Sequence, residues 1–163
     1  MIINLGSGNK KLYGFINVDN NPKTNPDILC DGETYIKQYA NNTIKHIMMD
    51  NYIEHIQDFE THLQDCIRTL KPNGKITIIT IHALNFLDAY GDCNHKSRFN
   101  AMTFYTFAQR NHLIINQQIT SRIPIFNPIM NLRIKQKYYL IDMLPMISTW
   151  LLPFNIKTTL IKN

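Results

Sequence analysis

Cysteine is scarce: Cys30, Cys66 and Cys93 make three, an odd number with no C-x-x-C pair among them. That excludes a disulfide framework, offers no zinc pattern, and fits a reducing cytoplasm. Charge is also low, at 18% of 163 residues, and a disordered chain would carry more charge and fewer Ile, Leu, Phe and Tyr. The first six residues lack the basic stretch and the apolar run of about 7–15 residues that mark a secretion signal. The apolar segment 138–153 is interrupted by Asp142 and Pro145 and falls short of the roughly 18 residues of a membrane span. There is neither an internal repeat nor a low-complexity tract. What remains, 44% hydrophobic residues, supports one globular domain over residues 1–163. The net charge of +5 is scattered, densest at Arg133, Lys135 and Lys137, and reads as a solvated basic face rather than a nucleic-acid site.

Short apolar runs stopped by turn residues predict strands at 2–5, 15–19, 27–32, 44–49 and 75–81. The last is rich in β-branched residues. A helix is expected over 34–39. Phe59, Leu63, Cys66, Ile67 and Leu70 recur at spacings of 3 and 4, one face of a second helix that stops before Lys71, Pro72, Asn73 and Gly74. Strands alternating with helices predict an α/β fold, an open, doubly wound parallel sheet. Beyond Ile81 the pattern changes. Residues 83–98 read as a polar loop, Met102, Tyr105, Phe107 and Ala108 as a helix, 113–125 as a strand, and 156–161 as a final antiparallel strand at the sheet edge.

The turn Leu5-Gly6-Ser7-Gly8 lies at the carboxyl end of the first strand, where open α/β sheets bind ligands and where glycine lets backbone and ligand meet. A ligand-free tight turn would demand the same glycines. Asp19 ends the second strand and could accept both ribose hydroxyls over the glycine turn, or form an Asx turn with Asn20 and Asn21. A nicotinamide dinucleotide fingerprint is absent: there is no third glycine, no full helix and no acidic residue about 20 positions on.

Taken in order, Leu5-Gly6-Ser7-Gly8, Ile16-Asn17-Val18-Asp19, Asp31, Tyr52-Ile53-Glu54-His55-Ile56 and Arg68-Thr69-Leu70-Lys71-Pro72-Asn73-Gly74-Lys75 resemble the class I S-adenosylmethionine-dependent methyltransferase family. The resemblance covers residues 1–81. It is nearest to a small branch that often accompanies sugar and surface-glycan biosynthesis. It implies a Rossmann-like sheet, S-adenosyl-L-methionine as cofactor and S-adenosyl-L-homocysteine as product. Leu5, Gly6, Ser7 and Gly8 would meet the amino-acid part of the cofactor, and Asp19 with Asn20 the ribose. Asp31 and Gly32 would sit against adenine, and Met49, Asp50 and Asn51 along the methionine end. Glu54 and His55 would open the next segment, either capping it or facing the substrate. The Lys71 to Gly74 match is read as structural only.

Six residues separate Gly8 from Phe15, too few for the usual first helix, so no helix dipole is expected to help bind the cofactor. With no lid before the first strand, the acceptor pocket is expected from residues 82–163. His82, Tyr90, His95 and Arg98 are the candidates there, and the resemblance favours His95 and Arg98. No spacing among His82, Asp92, Cys93 and His95 matches a zinc site, so no metal is expected, and Cys93 serves equally as a core thiol.

The function expected is methyl transfer to an oxygen or nitrogen of a small-molecule or sugar-like acceptor. The protein's part is alignment, with His95 or His55 as base if the acceptor is a hydroxyl. A non-catalytic, cofactor-binding module of the same fold is the alternative. A nucleic-acid enzyme is disfavoured because Met49-Asp50-Asn51-Tyr52 stands where such enzymes carry Asn/Asp-Pro-Pro-aromatic. The apolar segment 138–153, with Leu140, Leu144, Ile147, Trp150, Leu151 and Leu152, is expected to be buried, within the monomer or in a homodimer. Peripheral membrane contact is the less favoured use of it.

Overall fold

Alternate residues of the first strands point to opposite faces, and on β1 (Ile2–Leu5) and β2 (Ile16–Asp19) Ile3, Leu5 and Val18 are buried. Between them stand Asn4 and Asn17, also buried. The computed structural model of the protein describes residues 1–121, 133–134, 138–139 and 154–163. Within it, β3 (Ile28–Leu29), β4 (Ile44–Asp50), β5 (Leu70–Ile81), β6 (Ile114–Ser121) and a last strand, Phe154–Ile161, complete a seven-stranded sheet. Arg133–Ile134 (β7) and Tyr138–Tyr139 (β8) form a separate antiparallel pair, so the last strand is β9. The sheet order is β3-β2-β1-β4-β5-β9-β6. The first five strands run parallel and β9 runs antiparallel to both neighbours.

No helix joins β1 to β2, as the short spacing implies. Side-chain amides do the covering. Asn4 Nδ2 donates to the Lys10 carbonyl and to Asn17 Oδ1, both at 3.0 Å. Asn17 Oδ1 also accepts from the Leu12 amide at 2.8 Å, and Asp27 Oδ2 accepts from both the backbone amide and Nδ2 of Asn17 at 2.8 Å. These bonds hold Asp27 below its ordinary carboxylate range. A connection that cannot bury an apolar helix face thus satisfies its own polar groups.

The helices follow their caps. Asp31 accepts from Thr34 N at the start of α1 (Gly32–Lys37), and Asp58 from Thr61 N at the start of α2 (Phe59–Thr69). Helix α4 (Ala101–Arg110) opens with a reciprocal box between Asn100 and Thr103. At the end of α2 the Lys162 ammonium donates to the carbonyls of Ile67 and Leu70 at 3.0 and 2.8 Å, tying β9 to the helix C-terminus.

Several expectations change. The third strand shrinks to two exposed residues, because Asp31 leaves it to cap α1. Helix α2 stops before Lys71 as expected, but residues 71–74 belong to β5 rather than to a free turn. They bulge from its pairing with β4, since β4 advances from Ile44 to His46 while β5 advances from Leu70 to Lys75. The polar stretch 83–98 contains a helix, α3 (Phe86–Gly91). In α4 the buried residues are Ala101, Phe104, Phe107 and Ala108, leaving Met102 and Tyr105 only partly covered. Strand β9 is interior, not an edge: β6 is the edge. Cys93 is exposed rather than a core thiol. The strand beyond Ser121, the basic cluster at Lys135 and Lys137, and the apolar residues from Leu140 to Leu152 lie outside the described residues. Among those described, no helix is long and apolar enough to cross a membrane.

Candidate functional site

The glycine turn leaves β1 with Gly6 at φ +61° and Gly8 at φ +47°, conformations that glycine adopts without a Cβ penalty. The turn is pinned to β2. Ser7 N donates to the Val18 carbonyl at 3.0 Å, and Gly8 N to Asp19 Oδ2 at 2.7 Å, while Asp19 Oδ1 accepts from Asn21 N at 2.8 Å. Asp19 is therefore a tie between the turn and the end of β2, and each of its oxygens keeps a further lone pair. Both the Asx turn and a ribose role are compatible with that geometry.

Tyr52 explains two of the glycines. A Cβ at Gly6 would stand 2.3 Å from Tyr52 Cδ2, and one at Gly32 would stand 2.4 Å from the Tyr52 hydroxyl. The ring is buried across both turns. Burial pushes its phenol well above the ordinary range, and the hydroxyl has no partner. Ser7 Oγ is likewise buried and unpartnered. At Gly8, by contrast, a Cβ would meet nothing within 4 Å.

Around these turns lies a cleft of about 680 Å³, lined by Gly6, Gly8, Asp19, Asn20, Asp31, Gly32, Asn51, Tyr52, His55 and others. It sits at the carboxyl ends of β1, β2 and β4, as the sheet rule requires. A second cleft of about 700 Å³ is lined by Asn51, Glu54, His55, Ile81, Leu87, Asp88, Gly91, Asp92, Cys93, His95 and Asn155. Asn51 and His55 belong to both, so the two clefts meet at the end of β4. Asn51 turns that corner with φ +52°.

The second cleft is built around Glu54, only 2% exposed. Thr80 Oγ1 donates to its Oε2 at 3.0 Å, while Oε1 is buried and unpartnered. Its backbone carbonyl accepts from Lys96 N and Ser97 N at 2.7 and 3.0 Å, which clamps the 83–98 segment over the cleft. Burial raises the Glu54 carboxyl above its ordinary range, opposed by Thr80 and by the nearby His55 and His95. The rings of His55 and His95 lie 5.0 Å apart. His95 is nearly buried, with Nδ1 3.4 Å from the Ala89 carbonyl and Nε2 3.8 Å from Asp92.

Not every expected site residue reaches a cleft. Leu5 and Met49 are fully buried core, and Ser7, though buried in the turn, does not line the cavity. Asp50 accepts from Lys10 Nζ at 3.0 Å instead of lining either cleft. His82 is buried at a bridge to Phe99, with Nδ1 accepting from Leu84 N. Tyr90 stacks on Phe86 on the outer side of α3, and the Arg98 guanidinium sits 4.6 Å over its ring. Sequence reasoning gave Tyr52, Asp88 and Asn155 no role. Tyr52 lay in a quoted motif, whereas Asn155 arrives only because β9 pairs it with Ile81.

No protein-family model matches the chain, and no curated protein sequence does. Solved structures do match. A SAM-dependent methyltransferase from Archaeoglobus fulgidus superposes with a TM-score of 0.76 at 13% identity, over 99% of this chain and 85% of that one. A putative methyltransferase from Bacillus halodurans gives 0.68 at 9% identity, over 99% and 91%. Phosphoethanolamine N-methyltransferase 2 of Haemonchus contortus, in complex with S-adenosyl-L-methionine, gives 0.63 at 16%, over 99% of this chain but 48% of its own. The fold is the class I methyltransferase fold, with its antiparallel strand pair at the end of a mostly parallel sheet.

Proposed function

We propose that this chain, built on the class I methyltransferase fold, is an S-adenosyl-L-methionine-dependent methyltransferase acting on an oxygen or nitrogen of a small-molecule or sugar-like acceptor. The observation that carries this is the meeting of two clefts at Asn51 and His55. One has the glycine turn and strand-end carboxylates suited to an adenosyl ligand. The other has the polar groups of an acceptor site.

The residues present fit the cofactor. Gly8 leaves open space where a ligand can approach the backbone, and Tyr52, which lines the same cleft, has a hydroxyl that lacks a partner. Gly6 and Gly8 would hold the amino-acid part, Asp19 and Asn20 the ribose, Asp31 and Gly32 the adenine side, and Asn51 the methionine end. The bound sulfonium supplies an already activated methyl group. The chain's residues then have to align an acceptor at the junction and exclude water from it. His95, steadied by Asp92 and Ala89, and His55, facing both clefts, are the groups that take a proton from a hydroxyl acceptor. Free cysteines at 30, 66 and 93 suit a reducing compartment such as the cytoplasm.

Calorimetry with S-adenosyl-L-homocysteine tests the first cleft. The wild type is expected to bind, and Asp19→Ala to weaken binding at least ten-fold, since charge-assisted bonds are worth about 1.5–3 kcal/mol each. His95→Ala is expected to lower turnover in a methyl-donor consumption screen while leaving that affinity alone. A wild-type protein that does not bind S-adenosyl-L-homocysteine overturns the proposal.

A further inference from the structure

The acceptor cleft has a charge pattern opposite to the chain as a whole. The protein carries a formal +5, yet the described lining of this cleft holds three carboxylates, Glu54, Asp88 and Asp92, and neither lysine nor arginine. Asp88 accepts from Asn85 Nδ2 at 2.8 Å and Asp92 from Asn94 N at 2.8 Å, so both rim carboxylates are held in place. Glu54 is the decisive one. It is 2% exposed, it lines the cleft, and its Oε1 has no hydrogen-bond partner. A buried acceptor oxygen without a donor is costly, so a built site of this kind points to a ligand that brings the donor.

We propose that the methyl acceptor is an amine, bound with its N–H groups on Glu54 Oε1 and its positive charge facing Asp92. This rests on the methyltransferase reading and deepens it. An anionic acceptor, a carboxylate or a phosphate, would meet the Asp92 carboxylate and would bring no donor to Glu54 Oε1. A neutral alcohol could fill the hydrogen bond but would gain nothing from the rim. Burial holds the Glu54 carboxyl above its ordinary range, and an ammonium bound beside it would oppose that shift. For transfer, the ammonium gives one proton to His55, the exposed ring at the junction. The freed lone pair forms the new N–CH₃ bond as the S–CH₃ bond breaks, its electron pair staying on sulfur. The product leaves as a methylated ammonium, and His55 returns its proton to solvent.

Saturation-transfer NMR on the full chain with saturating S-adenosyl-L-homocysteine tests this, using benzylamine, benzyl alcohol and benzoate, then butylamine, butanol and butyrate. The amines are expected to bind at least ten-fold better than their partners, and Glu54→Gln to abolish the preference. Asp92→Asn, at a partly exposed position, is expected to lower it several-fold and keeps the test open should Glu54→Gln not fold. Binding of alcohols or carboxylates as well as amines, no binding of any amine, or an unchanged preference in the folded variants overturns the proposal while the cofactor result stands. If S-adenosyl-L-homocysteine itself does not bind, the methyltransferase reading fails first and this one falls with it.

Discussion

Gly6 and Gly32 are separated by 26 positions in the chain yet share one neighbour, the ring of Tyr52. At Gly6 two demands coincide, a left-handed backbone and the ring face. At Gly32 only the ring matters, because a Cβ there would meet the hydroxyl at 2.4 Å and Cζ at 2.9 Å. Gly32→Ala is therefore expected to destabilise the protein by about 2 kcal/mol through overpacking. In a Tyr52→Phe background the hydroxyl is gone and the loss is expected to shrink by about 1 kcal/mol, a coupling that a double-mutant cycle in urea measures. Additive effects would show that the ring does not dictate the glycine.

At the scale of elements, the connection from β1 to β2 replaces a helix with an amide network, and Asn17 is its hub. Replacing Asn17 with Ala leaves the Leu12 amide without its acceptor and takes one of two partners from both the Asn4 amide and Asp27 Oδ2. Buried polar groups left unpaired cost about 1–3 kcal/mol each. Asn17→Ala is expected to cost about 3 kcal/mol in global stability and to weaken S-adenosyl-L-homocysteine as well, since Gly8 sits at the mouth of the same loop. Denaturant unfolding and calorimetry on one preparation check both. A stable variant with unchanged affinity would mean that the loop holds itself.

For the whole molecule, two partly or fully buried histidines set an acid limit. Burial depresses His62, edge-on against Tyr52, and His46, 3.0 Å from Thr77 Oγ1, from 6.5 to about 4. The folded state keeps them neutral while the unfolded chain protonates them, so stability is full above pH 6.5 and falls as the pH drops from 6.5 to about 4. Each contributes a slope of at most about 1.4 kcal/mol per pH unit, less for half-buried His46. Glu54 runs the other way: its raised carboxyl favours the fold while protonated and loses that contribution as the pH rises through its folded value. Urea midpoints across pH 4–8 are expected to drop on the acid side, and His62→Gln to flatten that limb. An unaltered limb in His62→Gln would remove His62 from it.

The local signals were enough to fix the parallel half of the sheet. Apolar runs stopped by glycine and asparagine placed β1, β2, β4 and most of β5, and the 3-and-4 spacing of Phe59 to Leu70 placed α2, because each is a periodicity written within a dozen residues. The first cleft was legible for the same reason, with Gly6, Gly8 and Asp19 of its lining lying at strand ends close in sequence. Long-range pairing was not. Whether 156–161 lies at the edge or inside depends on β6 pairing with it from about 40 residues away, and nothing in either strand's own pattern says which is outermost. Asn4 and Asn17 interrupt apolar strands for a purpose visible only once Asp27 is brought beside them. The second cleft was legible only in part: Glu54, His55 and His95 were candidates, but Asp88 and Asn155 join them only once α3 and β9 are brought to the segment after β4, and a side chain's lack of a partner is a property of its neighbours, not of its sequence.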